Sequence, residues 1–186
     1  MYFWEIGDGM NAAVVKDKLS NLEWVGQQMR AKTASHEALI ISTGEKAPTW
    51  EERCGAIASI EDQATKAYCE LLVWGDYRDN TLAYRTLETH LANLLLTQLK
   101  KEVKRVRFNL ESFALKIAKM TLFLNLRDVN FNTEQKLKFF SIIEVKPRTY
   151  REHYAYLEIM VAIALEDMQD EIDFYIDMYR KNIRNS

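Results

Sequence analysis

The chain has 186 residues, long enough to bury a sizeable core in one domain or two small ones without disulfides or metals as staples. Its 25 Lys and Arg against 27 Asp and Glu leave a net charge of -2, which excludes the general nucleic-acid attraction of a strongly basic protein and requires any DNA site to be local. Six Gly and two Pro, among stretches rich in Leu, Ala, Glu, Lys and Gln, exclude barrels and sandwiches and predict an all-α helical bundle.

After an N-terminal tail, Ser20 and Glu23 form a capping-box pattern for a helix through Leu22, Trp24, Val25 and Met29, ending near Ala34. A loop over 42–48 precedes a second such pattern at Thr49 and Glu52. Trp50, Cys54, Ile57, Ile60, Ala64, Ala67, Leu71 and Trp74 then recur at spacings of three and four, predicting one long helix that ends at Gly75. On a continuous helix Cys54 and Cys69 would stand about 22 Å apart, too far for a disulfide, so both are expected to be reduced, buried small hydrophobes. Asp79 or Asn80 caps the next helix, in which Leu82, Leu87, Leu91, Leu94, Leu95 and Leu99 supply the core, and Asn109 starts another through Phe113, Ile117, Met120 and Phe123. A break over 127–132 follows. This organisation divides the chain into a helical body, 1–108, and a C-terminal unit, 109–186, close enough to form one continuous domain. The longest apolar runs fall short of the ~20 residues that span a bilayer, and Glu5 and Asp8 stand where a signal peptide would be basic, so a cytoplasmic protein is expected.

Residues 133–165 carry the strongest functional signal. Thr133 can cap a helix containing Glu134 to Phe140, a short connection runs from about Ile143 to Lys146, and Pro147 suits the first turn of the next helix, where its missing N–H costs no hydrogen bond. Together these read as a helix-turn-helix. Lys146, Arg148, Thr149, Arg151, Glu152 and His153 crowd the start of the second helix, the end that a recognition helix presents to base edges and phosphates, while Tyr150, Tyr154, Leu157 and Val161 face inward. Lys136, Lys138 and Lys146 are then expected on flanking phosphates.

The same apolar seam continues through Leu165, Met168, Ile172, Tyr175 and Tyr179, about 45 Å of helix if unbroken, and suits either packing on its own chain or a coiled-coil-like homodimer. Lys100, Lys101, Lys104, Arg105 and Arg107 form a cationic run that fits either a solvated helix end or contact with the DNA backbone. Glu166, Asp167, Asp170, Glu171, Asp173 and Asp177 make the last helix acidic, which suits solvent or a protein partner and not DNA.

Signals for catalysis are missing. His36, His90 and His153 each lack a glutamate three residues earlier, and there is no Gly-rich phosphate loop, Cys-x-x-Cys pair or Gly-x-Ser-x-Gly turn. No catalytic residue, metal or cofactor is expected.

The line Lys138-Phe-Phe-Ser-Ile-Ile-Glu-Val-Lys-Pro-Arg-Thr-Tyr-Arg-Glu-His-Tyr-Ala-Tyr-Leu-Glu resembles the helix-turn-helix of sigma-factor region 4 and of small phage transcription regulators, including antitermination proteins of the Q type. Pro147, Arg148, Thr149 and Tyr150 occupy the stretch where the second helix of those proteins opens. The resemblance covers a short part of the chain. It implies sequence-specific binding of double-stranded DNA, a link to RNA polymerase, and Arg148, Thr149, Arg151 and Glu152 as base-edge and phosphate contacts, for antitermination or late-gene control. The alternative from the residues is a non-enzymatic helical protein that inhibits a host protein, as a phage host-takeover or anti-defence factor would.

Overall fold

Short polar side chains start most of the helices. In the computed structural model, which describes residues 20–26, 48–102 and 107–184, α1 (Asn21–Gly26) begins after Ser20, whose hydroxyl accepts from the Glu23 N–H at 3.3 Å. Glu23 accepts in return from the Ser20 N–H at 3.0 Å, closing a capping box. The expected course through Met29 to Ala34, and the expected loop over 42–47, lie outside the described residues. α2 (Trp50–Ala58) carries the second capping box, between Thr49 and Glu52.

The long helix expected from Thr49 to Gly75 is two helices. The Asp62 carboxylate accepts from the Thr65 N–H at 2.8 Å and caps α3 (Gln63–Trp74), which ends at Gly75 in the left-handed region with φ 65°. This local hydrogen bond competes with continuation of the α2 ladder, which stops at Ser59. Ile57, Ile60, Ala64, Ala67 and Leu71 are buried as expected, but Trp50, Cys54 and Trp74 are exposed. Cys69 is therefore the one described cysteine in the core, and both thiols are free.

α4 (Leu82–Glu102) is capped by Thr81, whose hydroxyl accepts from the Tyr84 N–H at 3.2 Å. The expected cap Asp79 is held elsewhere, accepting from Lys119 Nζ at 2.9 Å. Leu87, Leu91, Leu95 and Leu99 are fully buried, whereas Leu82 stands at the helix start and is 82% exposed. α5 (Leu110–Arg127) starts at Asn109 as expected and stops at Asp128, a left-handed residue with φ 49°. α6 (Thr133–Phe139) is capped by Asn132 in a capping box with Gln135, one residue before the expected cap Thr133. α7 (Pro147–His153) has its proline in the first turn as expected.

The expected unbroken final helix is also interrupted. Tyr154 and Ala155 both donate their N–H to the Tyr150 carbonyl, at 2.8 and 2.9 Å, and α8 (Tyr156–Arg184) starts afresh. Its 29 residues span about 43 Å. Leu157, Val161, Leu165, Met168 and Ile172 are buried, and the buried line runs on through Ile176 to Arg180. α8 packs against α1, α2, α3, α4 and α5, so the seam is covered by its own chain. α5 lies along α4, and α4 along α3. The core cluster draws residues from Trp24 to Ile176, and each large aliphatic side chain in it contributes about 1.5–3 kcal/mol. Among the described residues there are eight helices and no strand: an all-α bundle with a long last helix.

Two polar features lock the long helix to the start of the chain. The Arg180 guanidinium, 3% exposed, lies 5.2 Å from the centre of the Trp24 ring and donates to Asn21 Oδ1 at 2.7 Å. Asn21 Nδ2 donates to the Asp173 carbonyl at 3.1 Å. At α2, a Cβ on Gly55 would sit 2.6 Å from Tyr179 Cζ and closer still to its hydroxyl. Gly55→Ala is thus expected to destabilise the protein by about 1–3 kcal/mol in urea unfolding, against a helix-propensity gain of about 1 kcal/mol. Combining it with Tyr179→Ala should remove most of that loss, and additive losses would exclude this contact as the cause.

Candidate nucleic-acid interface

α6 and α7, the two helices of the expected helix-turn-helix, rest on α5. α6 ends at Phe139, Ser141 takes the left-handed conformation with φ 53°, and the chain reaches Lys146 before α7 starts. The connection over 140–146 is longer than the one expected at 143–146, because α6 stops early and Ser141 turns the backbone. Ile142 is buried and donates its N–H to the Leu137 carbonyl at 2.8 Å. From α5, Lys116 Nζ donates to the Ser141 carbonyl at 3.0 Å and to Glu144 Oε1 at 2.5 Å. Burial alone would raise the Glu144 carboxyl, but the Lys116 hydrogen bond and charge, with backbone N–H donors, bring it below the usual carboxylate range.

α7 is held from inside by Tyr150, which is wholly buried and donates its hydroxyl to Glu158 Oε1 at 2.6 Å. Burial, then the neighbouring Glu158 charge and this hydrogen bond, push the phenol far above its ordinary range. Lys136 pairs with the same Glu158 oxygen and lies 5.5 Å from the centre of the Tyr150 ring. This corrects one expectation. Lys136 is not a free phosphate ligand, because its side chain is only 14% exposed and its charge is taken by Glu158 from α8.

The other expected contacts lie at the surface. Lys138, Lys146, Arg148, Arg151, Glu152 and His153 are exposed, and Thr149 is half-buried. Arg148, Arg151 and Glu152 share a helix face by their spacing of three and four, and Arg148 Nε donates to Glu152 Oε1 at 2.8 Å. With side chains 84% and 50% exposed, that pair is weak and can open toward a ligand at little cost. Lys100, Lys101 and Arg107 are exposed, while Lys104 and Arg105 lie outside the described residues. Phe108, next to Arg107, packs tilted against Phe113 at 4.9 Å and edge to face with Tyr154 at 6.4 Å, both between ring centres. The backbone at Arg107 and Phe108 therefore comes close to the end of α7.

The acidic character of α8 is divided. Glu166, Asp167 and Asp170 are exposed, whereas Glu171 accepts from Thr65 Oγ1 at 2.8 Å and Asp177 pairs with Lys181 at 2.6 Å. On the outer side of the same helix Ile159, Ile163, Phe174 and Met178 are exposed. Sequence reasoning missed Lys116 and Glu144, which position the turn across twenty-eight residues, and Glu158, which holds α6 through Lys136 across twenty-two and α7 through Tyr150 across eight. It also missed a groove lined by Phe123, Phe139 and Phe140, for which the adjacent Phe139 and Phe140 were the available signal. Among the described residues, no three His, Cys, Asp or Glu side chains cluster as a metal site would need, and no helix is long and apolar enough to cross a membrane. Compared with models of protein families, curated proteins and solved structures, the chain matches none.

Proposed function

We propose that this chain is a DNA-binding transcription regulator of phage or prophage type, acting without catalysis, with α7 entering the major groove. One observation carries this reading: α7 is fixed on its inner side by the buried Tyr150 while Arg148, Arg151 and His153 are exposed on the same two turns. A rigidly held, cationic helix surface is what base readout requires, and Arg148 and Arg151 have the donor geometry for guanine edges. Lys138 and Lys146 serve neighbouring phosphates, and Arg107 extends the backbone contact beyond the end of α7. RNA polymerase is the protein partner for antitermination or late-gene control in this reading.

Fluorescence anisotropy on random duplex DNA at two salt concentrations, followed by selection from a randomised duplex pool, tests it. Arg148→Ala is expected to relax base preference at one position and cost about 1–3 kcal/mol, whereas Lys138→Ala should weaken all sequences alike and reduce the salt slope by about one unit. Equal losses on selected and random DNA for both variants would defeat the assigned roles. The exposed Ile159, Ile163 and Phe174 of α8 favour a second reading, a helical inhibitor of a host protein. The duplex titration separates the two, since that inhibitor would show no salt-sensitive DNA binding.

A further inference from the structure

An open groove of about 670 Å³ runs beside α6, between the approach to α4 and the second half of α5, within the size range of clefts that take small ligands. Phe139 stands at its edge and is 60% exposed, an unusual position for a phenylalanine with no water-facing polar atom. It belongs to an aromatic platform: its ring centre lies 5.0 Å from Phe140, 5.5 Å from Phe131 and 5.8 Å from Phe123. This platform holds the Phe139 ring in position, so ordering it on binding costs little conformational entropy.

Cations surround these rings. Arg127 has its guanidinium carbon 4.6 Å from the centre of the Phe123 ring and donates from Nη2 to the Tyr77 carbonyl at 3.3 Å, leaving most of its five N–H donors to other partners. Lys119 and Arg78 also line the groove, each in an ion pair, with Asp79 at 2.9 Å and Asp76 at 2.6 Å. Both pairs are exposed to solvent, so exchanging a carboxylate for a phosphate there is inexpensive. Arg78 and Lys119 are balanced by Asp76 and Asp79, so Arg127 leaves the groove one positive charge in excess, which favours an anionic ligand.

We propose that this groove binds single-stranded DNA by stacking an unpaired base on Phe139 while Arg127 and Lys119 take the flanking phosphates. An exposed aromatic ring next to cations is the combination that single-strand binding uses, because every base has a π-face and every nucleotide a phosphate. Duplex DNA does not offer that face, since its bases are stacked on one another. The proposal does not depend on α7: the groove residues and the recognition-helix residues are different side chains.

Anisotropy of the full chain with a fluorescein-labelled oligothymidylate, compared with an abasic strand of equal length, tests it. The oligothymidylate should bind in low salt and the abasic strand markedly more weakly. Phe139→Ala should weaken oligothymidylate binding about tenfold or more, and Phe139→Leu, which keeps an apolar side chain in the cluster without the π-face, should weaken it likewise. Phe139→Trp should retain it. Arg148→Ala should lower duplex binding more than oligothymidylate binding, the reverse of the order expected for Phe139→Ala. Equal affinity for the abasic strand, or unaltered binding by Phe139→Leu, would overturn the proposal. Oligothymidylate binding without duplex binding would remove the α7 reading alone, and duplex binding without oligothymidylate binding would remove the groove alone.

Discussion

Tyr150→Ala is expected to lower the stability of the protein by about 3–5 kcal/mol, the range for removing a large buried aromatic side chain. Three effects add. The vacated volume lies where no exposed atom of the tyrosine reached solvent, so the surroundings must collapse or leave a cavity. The Glu158 carboxylate loses the hydroxyl that donates to it at 2.6 Å. Lys136 loses the ring over which its ammonium lies. Tyr150→Phe keeps the volume and the ring and removes one hydrogen bond to a charged acceptor, so it should cost about 1.5–3 kcal/mol. Urea unfolding of the two variants measures both, and a loss below about 1 kcal/mol for Tyr150→Ala would show that α7 is not held from inside as described. Since Lys136 and Tyr150 share one Glu158 oxygen, Tyr150→Phe combined with Lys136→Met should give non-additive losses.

That cluster also shows where the sequence is legible. Capping signals at Ser20, Thr49 and Asn109 locate helix starts correctly, because a cap is a contact between residues three apart and all its information is local. The apolar spacing identifies Leu87 to Leu99, and Leu157 to Ile172, as core for the same reason. The two breaks, after Ala58 and after His153, are invisible to it. Ile57, Ile60 and Ala64 on one side, and Tyr150, Tyr154 and Leu157 on the other, keep a spacing of three or four across the interruption, so the buried side does not change phase when the backbone does. Asp62, three residues before Thr65, was a readable cap for the first break, while the second rests on the bifurcated Tyr150 carbonyl and has no side-chain signal. In the candidate interface, the exposure of Lys138, Arg148 and Arg151 follows from their helix face. The withdrawal of Lys136 does not, because its partner Glu158 stands twenty-two residues away and meets it only once α8 is docked.

The second large effect is on the response to alkali. Tyr68, Tyr84, Tyr150 and Cys69 are all buried, and burial is the leading cause that raises each of their pKa values. Tyr84 is pushed up to about 12, with help from Glu88 and Asp79, and Cys69 to about 12, with help from Glu70 and Asp173. In the unfolded chain these groups titrate at their ordinary values, 10.0 for tyrosine and 9.0 for cysteine. Above those values the unfolded state has lost protons that the native state still holds, so stability falls as pH rises. The contribution is complete below about pH 9 and is lost progressively toward pH 12. Each such group removes about 1.4 kcal/mol per pH unit, so Tyr84 and Cys69 alone remove nearly 3 kcal/mol per unit once both unfolded values are passed. Against a typical total of about 5–15 kcal/mol, cooperative unfolding by about pH 12 is the expected result. Helical circular dichroism and tyrosinate absorbance, followed together in one alkaline titration, provide the measurement. The buried share of the tyrosinate signal should appear only as the helices melt, and Tyr84→Phe should flatten the decline in stability by about 1.4 kcal/mol per pH unit. A full tyrosinate signal near pH 10 from a protein that keeps its helices would mean that solvent reaches these phenols in the folded state, contrary to the packing of α4 and α7 described above.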